Sequence, residues 1–253
     1  MAGHSHWAGI KHKKGAADAK RGKIFSKLAK AIISAARGGG GDPDMNLKLK
    51  YAIEKARAAN MPKDNIERAI KRGTGELEGT KLEALTYEGY GPGGVALMLD
   101  VLTDNRNRTA SEVRKIFERR GGSLGSSGCV DWMFDRKGLF TIEKSAIEEE
   151  DLMEIAIEAG ADDVTVEDDL FEVTCEPGVF DALMEALKKR GLDPRVAEIA
   201  LVPTSQVRTD SAEEARRILA LMDALEDHDD VQNLYANFDI PADILRQIEE
   251  ESG

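Results

Sequence analysis

Between Gly138 and Val202 the chain alternates strand-like and helix-like segments in an order that closes on itself. GLFTIE (138–143) reads as a strand, 149–159 as an amphipathic helix, DVTV (163–166) and LFEVTC (170–175) as strands, 178–190 as a helix and AEIALV (197–202) as a strand. This βαββαβ order is the ferredoxin-like pattern, in which two helices cover one face of a sheet. Unmatched pieces lie on both sides. Before it come VALMLDVLT (95–103), a helix over 107–120 and a strand CVDWMFD (129–135). After it come an extended segment, a helix over 212–225 and a strand LYANFDI (234–240). Neither half could bury its own apolar face, so the economical topology joins them into a second βαββαβ unit interrupted by the first.

The first 79 residues differ in style. Residues 1–17 hold three histidines, three lysines and three glycines with little apolar periodicity, and read as a flexible arm. From Ala17 to Arg37 the pattern is helical, with Ile24, Leu28 and Ile32 on one side. GGGGD (38–42) ends that helix, and Asp42-Pro43 has the form of an N-cap followed by proline at the first helical position. The next helix runs to about Ala59 on the stripe Leu49, Ala52, Ile53 and Ala56. A third starts near Pro62 and stops at Gly73. The expected class is α+β: an N-terminal three-helix domain plus two ferredoxin-like βαββαβ α/β domains, one inserted into the other. The expected boundaries are 1–79 for the basic arm and helical domain, 80–136 plus 204–253 for the discontinuous α/β domain, and 137–203 for the inserted acidic one.

Charge separates these parts. The whole chain carries -12, yet residues 1–75 hold 17 Lys+Arg against 6 Asp+Glu, a net +11, and the remainder is -23. Residues 148–176 contain 13 carboxylates and no Lys or Arg. Phosphate backbones are attracted to the first region and repelled by the second. The residues expected to contact nucleic acid are His4, His6, Trp7, Lys11, His12, Lys13, Lys14, Lys20, Arg21, Lys23, Lys27 and Lys30. Imidazole and indole can stack on bases while the lysines reach phosphate. Arg106 and Arg108 join them at the head of helix 107–120, where backbone N–H groups favour anions. Simple capping by Asn107 or Thr109 is the competing reading there.

Other motifs are weaker. Gly89, Gly91 and Gly94 spell G-x-G-x-x-G, but they precede a strand instead of opening a helix, so a nucleotide fingerprint is rejected in favour of a turn or loop tip. Lys137-Gly138-Leu139-Phe140-Thr141-Ile142 lacks the stacking aromatics of an RNA-recognition strand and reads as core. His4, His6 and His12 have no cysteine or carboxylate nearby to complete a structural zinc site, so no metal or other cofactor is expected. No nucleophile–base spacing is recognisable, which disfavours an enzyme. Cys129 and Cys175 sit in strand-like sequence as buried thiols and fit a reducing compartment. No apolar run reaches the length of a membrane span, and the N-terminal lysines are not followed by a secretory apolar region. A cytoplasmic monomer with no membrane partner is expected.

MAGHSHWAGIKHKK with DAKRGKIFSKLAKAI, NMPKDNIERAIKRG (60–73), YEGYGPGGVALML (87–99), TDNRNRT (103–109) and GGSLGSSGCVDWMFDRKG (121–138) together resemble the YebC family. The resemblance implies a helical N-terminal domain followed by two α/β domains, and a regulator of gene expression instead of an enzyme. Some members are described as DNA-binding transcriptional regulators. Others, including mitochondrial relatives that activate translation of a cytochrome oxidase subunit, are described as acting on the ribosome and easing stalls at proline-rich stretches. The expectation is therefore a non-enzymatic nucleic-acid-binding regulator whose basic N-terminal region binds DNA. The alternative is a ribosome-associated translation factor that binds ribosomal RNA. The acidic domain leaves room for a basic protein partner. A pure protein-interaction adaptor, the third class, predicts that deleting residues 1–17 costs little.

Overall fold

The computed structural model describes residues 18–79, 81–167 and 169–252. In chain order the elements are α1 (Asp18–Gly39), α2 (Leu47–Ala58), α3 (Lys63–Thr74), β1 (Glu83–Tyr90), β2 (Ala96–Thr103), α4 (Arg106–Arg119) and β3 (Ser123–Leu124). There follow β4 (Phe134–Glu143), α5 (Glu149–Ala159), β5 (Asp163–Glu167), β6 (Leu170–Cys175), α6 (Phe180–Lys189) and β7 (Val196–Pro203). The chain ends with β8 (Val207–Arg208), α7 (Ala212–Glu226), β9 (Val231–Ala236), β10 (Phe238–Asp239) and α8 (Ala242–Ser252). The class is α+β. The described chain forms two compact units, one of residues 18–129 and 212–234, the other of 130–211 and 235–252. Among the described residues no helix is long and apolar enough to cross a membrane.

In the first unit α2 and α3 both pack on α1 far more than on each other. Their shared core is Ile32, Leu49, Ile53, Ala56, Ile66 and Ala69. The expected N-cap at Asp42-Pro43 is corrected: those residues open a turn in which Asp42 accepts from Asp44 N (3.0 Å), and α2 begins four residues later. Asn46 is the cap, accepting from Leu49 N (3.2 Å) while its amide donates to the Ala35 and Gly40 carbonyls (2.9 and 2.8 Å). One buried side chain thus satisfies the start of α2 and the end of α1, which Asp42 could not do. Asn46→Ala is expected to cost about 2 kcal/mol, since the cap is lost and the Ala35 and Gly40 carbonyls each lose the bond from the amide. A shift of the urea midpoint at unchanged slope would measure it; no shift would show that water replaces the amide. The expected stop at Gly73 is also corrected. Gly75, at φ 85°, ends α3, whereas Gly73 lies inside it. A Cβ at Gly73 would stand 2.5 Å from Ala36 Cβ and 2.7 Å from the Ile33 carbonyl oxygen, so this glycine allows α1 and α3 to approach.

The sheet of this unit has the order β3-β1-β2-β9. β1 and β2 form an antiparallel hairpin in the register Gly89↔Leu97, and β3 pairs on the other side of β1. Two expectations change here. The turn expected around Pro92 is present, as a 3₁₀ turn over Pro92–Gly94, but strand β1 before it was not expected, and the strand expected over 129–135 is absent. Residues Asp131–Met133 form a 3₁₀ turn, and β4 begins only at Phe134. The element order around this sheet is therefore ββαβ, then αβ, instead of βαββαβ.

The other four-stranded sheet has the order β5-β6-β4-β7 with every neighbour antiparallel, which is the ferredoxin-like arrangement. Leu139, Phe140, Ile142, Val173, Leu183 and Leu187 form its core, and the rings of Phe140 and Phe180 stack at 4.7 Å. The acidic run 148–176 covers α5, β5 and β6, with Lys137 on β4 held between Asp162 (2.9 Å) and Glu176. Cys175 is buried, and burial first, then nearby carboxylates, pushes its thiol up to about 11. Cys129 is only half-buried and lies in a loop, not in the expected strand. In the same unit β8 and β10 pair in parallel.

Candidate nucleic-acid interface

His4, His6, Trp7, Lys11, His12, Lys13 and Lys14 lie outside the described residues. Lys20 and Arg21 fall in the first turn of α1, and their side chains also lie outside what is described. Lys23, Lys27 and Lys30 follow at intervals that place them on one helix face. That face meets the segment that joins α7 to β9. Lys23 Nζ donates to the Asp227 carbonyl (3.2 Å), Lys27 Nζ to that of Glu226 and Lys30 Nζ to that of Asp229 (3.1 Å). α7 ends at Glu226, so these lysines satisfy carbonyls at and just beyond a helix C-terminus, the end that favours cations.

Asp230 gathers the remaining charges. Its carboxylate accepts from Lys30 Nζ (2.5 Å) on one oxygen. On the other it accepts from an Arg108 Nη atom (2.8 Å) and Thr109 Oγ1 (2.7 Å). The Asp230 side chain is 4% exposed. Burial alone would raise its pKa, but the hydrogen bonds from Lys30, Thr109 and Arg108 overturn that and hold the carboxyl well below the usual carboxylate range. The Arg108 guanidinium is raised in turn, mainly by Asp230. Two of the sequence-predicted cations, one from α1 and one from α4, thus converge on a carboxylate that sequence reasoning overlooked. Only its place directly before the apolar onset of β9 could have drawn attention to it.

The head of α4 is capped by Asn105, whose side chain accepts from Arg108 N (3.1 Å); neither Asn107 nor Thr109 is the cap. Arg106 is exposed at the first helical position, with its carbonyl accepting from the Tyr87 hydroxyl (3.3 Å). A cleft of about 810 Å³ lies beside the hub, lined by Lys23, Arg72, Asp104, Glu112 and His228 among others. Glu112, His228 and Asp230 bring one potential metal-ligand atom each within 4.8 Å of one another. Those atoms are already engaged: His228 Nε2 bonds Glu112 (3.0 Å), its Nδ1 accepts from Asp230 N (3.1 Å), and two cations hold Asp230. A divalent cation would have to displace Lys30 and Arg108, so the donor set does not fit one.

A different set of cations faces outward. Lys48, Lys50, Lys55 and Arg57 on α2, and Lys63, Arg68, Lys71 and Arg72 on α3, are all exposed. The same two helices carry three acids, Glu54, Asp64 and Glu67. Four residues, Ala59–Pro62, join the helices, with Asn60 in the left-handed region at φ 60°. Asparagine tolerates that conformation better than most side chains do.

Comparison with known proteins fits this architecture. Residues 5–76 match the family model described as the TACO1/YebC protein N-terminal domain, and residues 82–238 match the one described as TACO1/YebC second and third domain. The chain is 56% identical over 253 residues to a protein of Halothermothrix orenii named "Probable transcriptional regulatory protein", covering 99% of this chain and all of that one. It is 58% identical to a protein of the same name from Syntrophobacter fumaroxidans, covering 98% of this chain and all of the relative. A crystal structure of a conserved hypothetical protein from Aquifex aeolicus superposes with a TM-score of 0.84 at 50% identity, covering 95% of this chain and 99% of that one. With both family models matched in order along nearly the whole chain, the protein belongs to the TACO1/YebC family.

Proposed function

We propose that this protein is a non-enzymatic regulator of gene expression that binds DNA through its basic N-terminal region. The observation that carries the reading is the outward display of eight cations against three acids on α2 and α3, within a segment of net +11. The name of the relatives, probable transcriptional regulatory protein, supports the regulatory part. Lys23, Lys27, Lys30 and Arg108 have a structural task in this reading, and phosphate contact moves to α2, α3 and the segment before α1. The division into 1–79, 80–136 plus 204–253 and 137–203 is part of the proposal: the first contacts phosphate and the acidic third stays away from it.

The test uses the full chain, a form lacking residues 1–17, and K63A/R68A/K71A. Anisotropy titrations of duplex DNA across 50–200 mM salt should show a steep loss of affinity for the full chain. The triple substitution should make the slope of log affinity against log salt shallower by roughly two to three. Binding that neither variant weakens would sink the reading. In parallel, lysate is sedimented through a sucrose gradient. Co-migration with ribosomal particles, lost with residues 1–17, would transfer the function to translation. Retention of particular promoter fragments over random DNA would keep it in transcription.

A further inference from the structure

The cations on α4 divide into two groups. Arg108 is tied to Asp230, as described above, and to Asp104 (3.0 Å). Arg114, Lys115, Arg119 and Arg120, on the last two turns and the C-cap, are exposed. Among the described residues none of these four side chains has an ion pair or hydrogen bond. Lys115 and Arg119 are one helical turn apart on the same face. A fifth cation joins them from another element. Arg217 of α7 is exposed and likewise unpaired among the described residues, and a Cβ built on Gly121 would stand 2.7 Å from one of its Nη atoms. Gly121 directly follows Arg120 and has φ 78°, a conformation that suits glycine. The Arg217 guanidinium therefore borders the turn that directly follows the exposed Arg119 and Arg120.

The surroundings add to this. From Arg119 to Val130 the chain contains no acidic residue, and Ser123, Ser126 and Ser127 are exposed in its glycine-rich part. The acids nearest in sequence are Glu118 and Glu213, both exposed, and Glu214, which is half-buried beside Gly93. The carboxylate of the buried Glu88 accepts from Gly128 N (2.6 Å) in the glycine-rich loop and so is already engaged there. Cations at a helix C-terminus also answer the helix dipole, but that accounts for Arg119 and Arg120 only, not for Arg217. No exposed aromatic accompanies these residues between 114 and 130. The patch has the chemistry to hold phosphate oxygens and lacks stacking groups to read bases.

We propose that Arg119, Arg120 and Arg217, with Arg114 and Lys115 alongside, form a second surface for the sugar–phosphate backbone of a nucleic acid, separate from α2 and α3. This rests on the nucleic-acid reading given above. The backbone belongs to DNA or to RNA, and both are probed.

The test compares the full chain, R119A/R120A/R217A, the charge reversal R119E/R120E and the conservative R119K/R120K/R217K. Each is titrated against a duplex DNA of random sequence and against a structured RNA hairpin across 50–200 mM salt, with circular dichroism to check the fold. The alanine triple should bind roughly 10- to 100-fold more weakly on the relevant polyanion, uniformly across sequences, with a salt slope shallower by roughly two to three. R119E/R120E, whose side chains are exposed, should weaken it further, and the lysine variant should retain most of the affinity. Loss on DNA alone or on RNA alone identifies the source of the phosphates. Wild-type affinity and slope in R119A/R120A/R217A and R119E/R120E, beside a weakened K63A/R68A/K71A, would overturn the second surface and leave the first standing. No salt-dependent binding by the full chain to either probe would overturn both.

Discussion

Asp230→Ala should lower the unfolding free energy by about 3 kcal/mol, because it leaves Lys30, Arg108 and the buried Thr109 hydroxyl without their common acceptor. The figure is taken at the low end for a broken buried pair. Arg108 is 43% exposed, so water re-solvates it once the carboxylate is gone. Asp230→Asn keeps the shape and removes the charge, and it separates packing from electrostatics through pH. The folded-state pKa lies below the unfolded one, so as pH falls through about 4 the unfolded chain takes up a proton first. The stabilisation is therefore fully present above that value and declines below it. Urea midpoints at pH 6, 4 and 3 should fall more steeply for the wild type than for Asp230→Asn. Parallel curves would mean that Asp230 is not held by these cations in solution.

Phe140→Ala should cost about 3–5 kcal/mol. Phe140 is 0% exposed and lies on β4, which has a neighbour strand on each side. Its ring stacks on Phe180 at the head of α6, so truncation opens a void where strand and helix meet. Phe140→Leu, which fills most of that void, should cost about 1.5 kcal/mol or less. Denaturant titration followed by far-ultraviolet circular dichroism reads both. A Phe140→Ala loss below about 1 kcal/mol would show that the site collapses around the deletion.

The βαββαβ core was legible because each of its strands has an apolar period of its own. β1 was not, and the cause is local. EALTYEGY carries Glu83, Glu88 and Gly89, which read as polar and turn-forming. Gly89 is there for another reason: a Cβ would stand 2.5 Å from the Ser123 carbonyl oxygen and 2.9 Å from the Phe117 ring, so the glycine admits β3 and α4. The opposite error occurred at 129–135. Val130 and Phe134 are buried and Trp132 is 70% exposed, an alternation that imitates a strand, while the backbone makes a 3₁₀ turn. In the helical domain, charge counting marked a basic region but could not tell cations facing solvent from those facing a carboxylate 200 residues away. Lys30 and Lys71 look alike in the sequence. One is bonded to Asp230, and the other is exposed on α3.

The chain leaves the first sheet after β3 and returns to it only at β9. A fragment ending anywhere from residue 204 to 230 has all four strands of the ferredoxin-like sheet and lacks one flank of the other. The strand left open would be β2, ALMLDVLT, whose residues are buried in the intact protein with the exception of the half-buried Asp100. An apolar strand with an unpaired edge is a template for another chain. A shortened product of this protein is thus a seed for self-association, and the six residues of β9, Val231–Ala236, decide whether the much earlier β2 stays apart from its copies.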